Sequence, residues 1–251
     1  MPPRASPTHF LCIPLAAPQL TRSLASFRAD ITSQASFSVP EDAVRPPGTL
    51  HLTLGVMSLR EETMLARAVG LLRELRLREM LERARSSVLP LAPAEGPGDE
   101  RLSITLRGLQ PMHKASQTSV LYAPPADPSG VLRRFCENLR RLFQDAGLMA
   151  DEQRPLLLHA TVVNTIYVKN YKHNVNNNGD NDGDRRGGQQ GRRRRQERLT
   201  LDARDILGRY DDYVWVEGMP VTRVAICRMG AKKIEGSDGD EAYEVEAEAL
   251  F

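Results

Sequence analysis

Two short apolar runs constrain this chain more than any other part of its sequence, and each of them contains a histidine. The first run reads GTLHLTLGVM and spans residues 48–57. Alternate residues of an extended strand share a face, so His51 lies beside Thr53, while Leu52 and Leu54 point to the other side. The run therefore predicts a strand that buries one face in the core and presents an imidazole and a hydroxyl on the other.

The second run, LLLHATVVNT at 156–165, repeats the pattern. His159 and Thr161 share one face, and Ala160 and Val162 share the opposite face. A single histidine in an apolar strand is more often a hydrogen-bonded core residue than a catalytic one. Two copies of His-x-Thr, one in each half of the chain, favour the hypothesis that both histidines line one groove.

The remaining sequence predicts strands and helices in mixed order. Strands are predicted at 8–16, 50–59, 101–112, 119–125, 156–168, 220–229 and 242–251. Helices are predicted at 19–33, at 61–85, in a short segment after residue 201, and between Ser129 as N-cap and Gly147 as the C-terminal glycine. Several successive strands have no helix between them, which favours an α+β fold with antiparallel sheets over a doubly wound parallel sheet.

The predicted helix at 61–85 has an apolar stripe with arginines and glutamates elsewhere. This stripe predicts packing against the core. The alternative is an exposed helix that binds a partner protein.

Composition narrows the class of protein. Apolar residues make up 41% of the chain and the formal net charge is +2, so affinity for nucleic acid has to come from local patches. The three cysteines, Cys12, Cys136 and Cys227, are far apart and form no Cys-x-x-Cys pair, which favours a reducing compartment over a disulfide framework. The sequence contains no apolar run of about 18 residues, so it predicts no membrane span.

Residues 169–198 differ in composition from the rest of the chain. They are rich in Asn, Gly, Asp and Arg, and Val175 is their only aliphatic residue. Such a segment buries too little apolar surface to offset the entropy of ordering, so we predict a disordered insertion. It interrupts a single predicted domain at 8–251, which a flexible N-terminus at 1–7 precedes. The arginine run at 191–198 is a nuclear-import signal, an RNA contact or a solvated loop.

The paired histidines suit phosphodiester chemistry without a metal ion or other cofactor. One neutral imidazole removes a proton from the attacking oxygen, and one imidazolium protonates the leaving oxygen. For attack by a ribose 2′-hydroxyl we assign His51 as the base and His159 as the acid. The hydroxyls of Thr53 and Thr161 are predicted to hydrogen-bond the non-bridging phosphate oxygens. Neither motif has a second histidine or a carboxylate at metal-ligand spacing, and no Gly-x-Ser-x-Gly pattern is present.

These residues resemble a known family. HLTL at 51–54 and HATV at 159–162 match the paired motifs of the two-histidine (2H) phosphoesterase superfamily. The blocks THFLCIPL, GTLHLTLGVMSL, VLYA, LHATVVNT and DARDILGRYDDY resemble, in that order, the phosphoesterase domain shared by A-kinase anchoring proteins and a subunit of the activating signal cointegrator complex. The resemblance implies a bilobal, LigT-like α+β fold, with two antiparallel sheets and flanking helices around a central groove.

The resemblance also implies a substrate class, namely RNA or oligonucleotide ends with a 2′,3′-cyclic phosphate or with 3′,5′ or 2′,5′ linkages. We expect a monomeric hydrolase of phosphodiester bonds in the nucleus or the cytoplasm. The alternative is a non-catalytic module that binds RNA or a nucleotide as a scaffold in a nuclear protein complex. Alternation along the second strand places Tyr167 on the His159 face, where its ring either stacks on a base or packs in the core.

Overall fold

The structure is a computed structural model of the chain. It describes residues 6–88, 101–151, 153–168, 199–237 and 239–251. The predicted insertion at 169–198 lies outside the described residues, as do the first five residues of the predicted flexible N-terminus. No helix within the described ranges is long and apolar enough to cross a lipid bilayer.

Twelve strands and five α-helices occur in the described ranges. Strands β1 to β12 are, in chain order, His9–Pro14, His51–Met57, Ser103–Arg107, Gln110–Pro111, Val120–Ala123, Pro125–Ala126, Ala160–Asn164, Val214–Pro220, Arg223–Arg228, Lys232–Lys233, Glu241–Ala242 and Val245–Leu250. Helices α1 to α5 are Pro18–Thr32, Glu62–Glu74, Leu77–Ser87, Val131–Asp145 and Arg204–Arg209. Single turns of 3-10 helix lie at Glu41–Ala43, Pro47–Thr49 and Thr165–Tyr167.

The pairing of the described strands is antiparallel throughout, which confirms the predicted α+β class. The largest sheet has the order β12-β9-β1-β2-β7-β5-β4, and smaller sheets are formed by β6-β3-β8 and by β10-β11. Among the described residues, one residue pair, Leu52 with Ala160, joins β2 to β7. The largest sheet is therefore two antiparallel blocks that meet at a seam, and each block ends at this seam in one of the two histidine strands.

The helices and the sheet share a single large core. The apolar stripe predicted on α1 is buried in it, and so are Leu52 and Leu54 of β2. The stripe consists of Leu20, Leu24, Phe27 and Ile31. The opposite face of β1 and β9 has a separate small apolar cluster, formed by Phe10, Cys12, Ala225 and Cys227. The side chains of the histidine motifs lie on this second face.

A β-bulge follows each histidine motif. In the ladder between β1 and β2 the extra residue is Leu54, and in the ladder between β5 and β7 it is Val162. Each is the third residue after its histidine. A bulge bends and twists its strand and leaves backbone groups of the extra residue unpaired in the ladder. The two strands at the seam are therefore bent by a bulge at the same position relative to their histidines.

The prediction of one helix at 61–85 is wrong. Two helices, α2 and α3, occupy this stretch, because the backbone of Leu75 is extended and hydrogen bonding along the helix stops there. The break changes the direction of the chain, so that both Leu72 at the end of α2 and Leu77 at the start of α3 reach the core. The stripe packs mainly as core, as predicted.

The prediction that Ser129 caps the next helix is also wrong. The residue before α4 is Gly130, whose φ of 74° is accessible to glycine without strain. The carboxylate of Asp127 reaches over this turn and accepts two backbone N–H bonds from the first helical turn, at 3.2 and 2.8 Å. The Ser129 hydroxyl accepts a single longer bond of 3.3 Å. Gly147 follows the helix with a φ of 69°, as predicted.

We expect Asp127→Ala to lower the free energy of unfolding by about 1–2 kcal/mol, because two first-turn amides lose their acceptor. Ser129→Ala is the matched control and should cost less than half as much. Urea denaturation of both variants measures the difference. Equal losses in the two variants would contradict the assignment of Asp127 as the cap.

Candidate active site

The seam places the four motif residues on one face of the sheet. Residues directly opposite each other in an antiparallel pair point to the same face. Leu52 and Ala160 are opposite each other and both are buried in the core, so the residues on either side of each project to the other face. These residues are His51, Thr53, His159 and Thr161, and all four are partly exposed. Their arrangement follows the alternation read from the sequence.

Both imidazoles carry a proton on Nδ1. The Nδ1 of His51 lies 2.7 Å from the carbonyl oxygen of Thr49, and the Nδ1 of His159 lies 2.9 Å from that of Leu157. A carbonyl oxygen only accepts, so Nδ1 is the protonated nitrogen that donates in each ring. In the neutral form each Nε2 is then left with a lone pair. In each case the carbonyl belongs to the residue two positions before the histidine, so the tautomer is set by the chain segment that leads into the motif.

His51 is enclosed by aromatic rings. Its ring centroid lies 4.8 Å from that of Phe10 and 5.3 Å from that of Tyr243. Burial lowers the pKa of His51 from its ordinary 6.5 to about 4, and the positive charges of His159 and Arg45 act in the same direction. His51 is therefore neutral at pH 7, in the form that accepts a proton.

His159 has different neighbours. The ring of Tyr122 contacts it edge-on at 5.4 Å, and the Tyr122 hydroxyl donates to the side-chain oxygen of Gln110 at 2.9 Å. A pocket of about 170 Å³, lined in part by Tyr122, Gln110 and the exposed Leu157, opens on this side. The two histidines thus share a proton arrangement but differ in what surrounds them.

Arg45 is a residue of the site that sequence reasoning missed. Its side chain is 5% exposed, and its charge acts on both His51 and Tyr243. It lies in a proline-rich loop whose pattern gives no signal of function. Tyr243 was missed as well, because it precedes the last strand and belongs to no motif.

The prediction that strand alternation extends to Tyr167 and places it on the His159 face is wrong. β7 ends at Asn164, whose side chain accepts a backbone N–H bond of 3.1 Å from the turn that follows, so the strand pattern does not extend to Tyr167. The Tyr167 ring instead covers the guanidinium of Arg45, 3.8 Å from the ring centroid. Its interaction with Tyr243 places it on the His51 side of the groove. The ring is 41% exposed, and its role in substrate binding stays a prediction.

Within the described ranges, no group of three or more His, Cys, Asp or Glu side chains is placed to hold a metal ion. Metal-independent chemistry stays a prediction.

A family model matches almost the whole chain, including both histidine motifs. The family model described as AKAP7 2′5′ RNA ligase-like domain matches residues 7–251. The chain belongs to this family. The membership confirms the resemblance to the 2H phosphoesterase superfamily.

Two relatives of this chain show how far the similarity extends. An uncharacterized protein of Schizosaccharomyces pombe is 23% identical over 236 residues, which cover 94% of this chain and 91% of that protein. The activating signal cointegrator 1 complex subunit 1 of Mus musculus is 26% identical over 168 residues, which cover 65% of this chain and 44% of the mouse protein. The chain thus matches less than half of the length of the mouse subunit.

The fold of the domain is similar to that of a solved phosphoesterase. This crystal structure is 15% identical and superposes with a TM-score of 0.50 over 98% of this chain and 99% of the other. The likeness, together with the antiparallel sheets, confirms the predicted bilobal α+β phosphoesterase fold.

We expect His51 to make stability depend on pH. Its folded pKa of about 4 lies below its ordinary 6.5, so the unfolded chain takes up the proton first as the pH falls. The contribution is complete above about pH 6.5 and is lost as the pH falls toward about 4. The difference in unfolding free energy between the wild type and His51→Gln should therefore decrease over this window and stay constant above it. Urea denaturation at a series of pH values measures it, and a difference that does not change with pH would refute the assignment.

Proposed function

We propose that this domain is a metal-independent phosphodiesterase that acts on RNA or oligonucleotide ends by two-histidine general acid–base catalysis. The observation that carries the proposal is the shared proton arrangement of His51 and His159. Each Nδ1 proton is held by a backbone carbonyl, and each Nε2 remains for proton transfer. Two such nitrogens on one face suit a reaction that removes one proton and delivers another.

For attack by a ribose 2′-hydroxyl, His51 acts as the base and His159 as the acid. The Nε2 of His51 takes the hydroxyl proton as the 2′-oxygen forms a bond to phosphorus. The bond from phosphorus to the 5′-oxygen breaks, and protonated His159 gives its Nε2 proton to that leaving oxygen. The products are a 2′,3′-cyclic phosphate and a free 5′-hydroxyl. The lowered pKa of His51 keeps it neutral at pH 7, which is the form in which a base acts.

Hydrolysis of a 2′,3′-cyclic phosphate uses the same groups in exchanged roles. His159 then removes a proton from water, and His51 protonates the 2′- or 3′-oxygen that leaves, by microscopic reversibility. Two groups with opposite protonation requirements give a bell-shaped dependence of turnover on pH. Thr53 and Thr161 supply hydroxyl donors for the non-bridging oxygens, where negative charge develops.

The groove has a candidate site for a nucleobase on each side. Tyr167 leaves 41% of its surface exposed beside the His51 half, and aromatic faces stack on any base with little preference for sequence. The pocket beside Tyr122 lies on the His159 half. The substrates we propose are 2′,3′-cyclic phosphates and short 3′,5′- or 2′,5′-linked oligonucleotides.

The alternative is a non-catalytic module that holds RNA or a nucleotide within a nuclear protein complex. It is favoured by the similarity to a mouse protein that is named as a subunit of the activating signal cointegrator 1 complex. For the phosphodiesterase we expect a location in the nucleus, the cytoplasm or both, and for the scaffold module a location in the nucleus. The two proposals differ in whether bound RNA is turned over.

We expect His51→Ala and His159→Ala each to lower turnover by about 10²–10⁴-fold, because each removes one proton-transfer group. His113→Ala, at an exposed position outside the motifs, is the control and should leave turnover unchanged. The assay incubates each protein with a 2′,3′-cyclic, a 3′,5′ and a 2′,5′ substrate in the presence of EDTA and identifies products by mass.

Full activity in both histidine variants would reject the mechanism, and activity that EDTA abolishes would reject its independence of metal. If the wild type binds the panel and releases no product from any substrate, the scaffold alternative is supported instead.

We expect Tyr167→Ala to weaken binding of a short single-stranded RNA by about five- to a hundredfold, because a base loses its stacking partner. Ile166→Ala is the matched control, since Ile166 lies in the same turn and is 55% exposed. Tyr167→Phe should bind as the wild type does. Fluorescence anisotropy with a labelled RNA, in a His159→Ala background that prevents turnover, measures the effect. Equal affinity for Tyr167→Ala and the wild type would rule out stacking at this ring.

A further inference from the structure

Arg45 is a buried cation whose position is fixed by the second bulge. Its backbone N–H donates to the carbonyl oxygen of Val162 at 2.9 Å, and Val162 is the extra residue of the bulge in β7. A carbonyl that has left the regular ladder is free to bind another segment. The neighbouring Val44 forms a bridge to Val163. The same distortion that follows the His159 motif thus anchors Arg45 beside the groove.

The charge of Arg45 is incompletely paired within the described part of the protein. The guanidinium packs on the ring of Tyr167 at 3.8 Å. The nearest approach to a carboxylate is 3.9 Å, from its Nη2 to the Oε2 of Glu241, which exceeds hydrogen-bonding distance. Among the described residues, this buried Nη2 has no hydrogen-bond partner.

A buried charged donor without an acceptor destabilises a fold, because the group has lost its water and gained nothing in return. A ligand that supplies the missing hydrogen-bond acceptor would explain why the Nη2 of Arg45 is buried without a partner among the described residues. The positive charge calls for an anion, and a planar guanidinium suits the paired oxygens of a phosphoryl group. The backbone of Arg45 is held by the bulge that follows the His159 motif and its charge acts on His51, so we expect such an anion to lie near the His51 half of the groove.

The chemistry proposed for the groove also needs a fixed cation. The phosphorus centre gains negative charge as the attacking oxygen adds, whereas Thr53 and Thr161 are neutral donors. We propose that Arg45 is a third phosphate-binding residue of the groove, whose Nη2 donates to a non-bridging oxygen of the substrate's phosphoryl group. The inference rests on the proposed function for the identity of that substrate. The negative charge of Glu241 offsets part of the positive charge of the guanidinium, so it limits how tightly the anion is bound.

The first test measures binding of inorganic phosphate and of adenosine 3′-monophosphate at pH 7 by isothermal titration calorimetry. Arg45→Gln should raise both dissociation constants by about ten- to a hundredfold, because a charge-assisted hydrogen bond is lost. Arg45→Lys should lie between Arg45→Gln and the wild type, since it keeps the charge without the planar fork. Arg209→Gln is the matched control. Arg209 also packs on an aromatic ring, that of Phe37, and its Nη1 donates to the carboxylate of Asp30 at 2.8 Å.

A second variant keeps Arg45 in place and should change the affinity for phosphate in the opposite direction. Glu241→Gln should lower the dissociation constant for phosphate by about two- to fivefold, because the guanidinium loses a competing anion. A purely structural ion pair between Arg45 and Glu241 predicts weaker or unchanged binding in this variant. Thermal unfolding of both variants establishes that they are folded.

Unchanged affinity for phosphate in folded Arg45→Gln, or unchanged or weaker affinity in Glu241→Gln, overturns the inference. A wild type that binds neither probe at millimolar concentration overturns it as well. The proposed function fails separately. If the wild type turns over no substrate and Arg45→Gln still loses phosphate, the anion site stands and the catalytic proposal falls. If the histidine variants lose turnover and Arg45→Gln binds and reacts as the wild type does, the catalytic proposal stands alone.

Discussion

Leu52 and Ala160 face each other across the seam of the largest sheet, and the position of every motif side chain depends on that contact. Both are buried on the core side, so the residues before and after each are directed to the groove. A slip of one residue in either strand would bury a histidine and expose an aliphatic side chain. The bulges at Leu54 and Val162 interrupt the ladders that join these strands to β1 and β5, directly after Thr53 and Thr161.

Much of this arrangement could be predicted from the sequence, because alternation in a strand is a local property. His51 and Thr53 share a face whatever the rest of the fold does, once Leu52 and Leu54 are buried. The stripe of α1 was predictable for the same reason. That the two histidine strands are neighbours was inferred from the repetition of the motif and from resemblance, since a pairing between distant strands leaves no local pattern.

The features that sequence reasoning missed depend on contacts between distant residues or on the local geometry of turns. Arg45 approaches His51 only because its loop binds the bulge at Val162, and no periodicity marks a loop. Asp127 replaces Ser129 as the helix cap because Gly130 adopts a positive φ between them and the helix. The strand β8 is absent from the strands predicted from the sequence, because Glu217 and Gly218 interrupt its apolar pattern.

The hydrogen bonds at Nδ1 have a consequence for how such domains diverge. Because each imidazole takes its tautomer from the carbonyl two residues before it, nothing inside the two motifs distinguishes one ring from the other. The distinction lies in their neighbours, which are Phe10, Tyr243 and Arg45 at the first ring and Tyr122 at the second. A relative that exchanged these neighbours would keep all four motif residues and yet exchange which of the two imidazoles is held neutral.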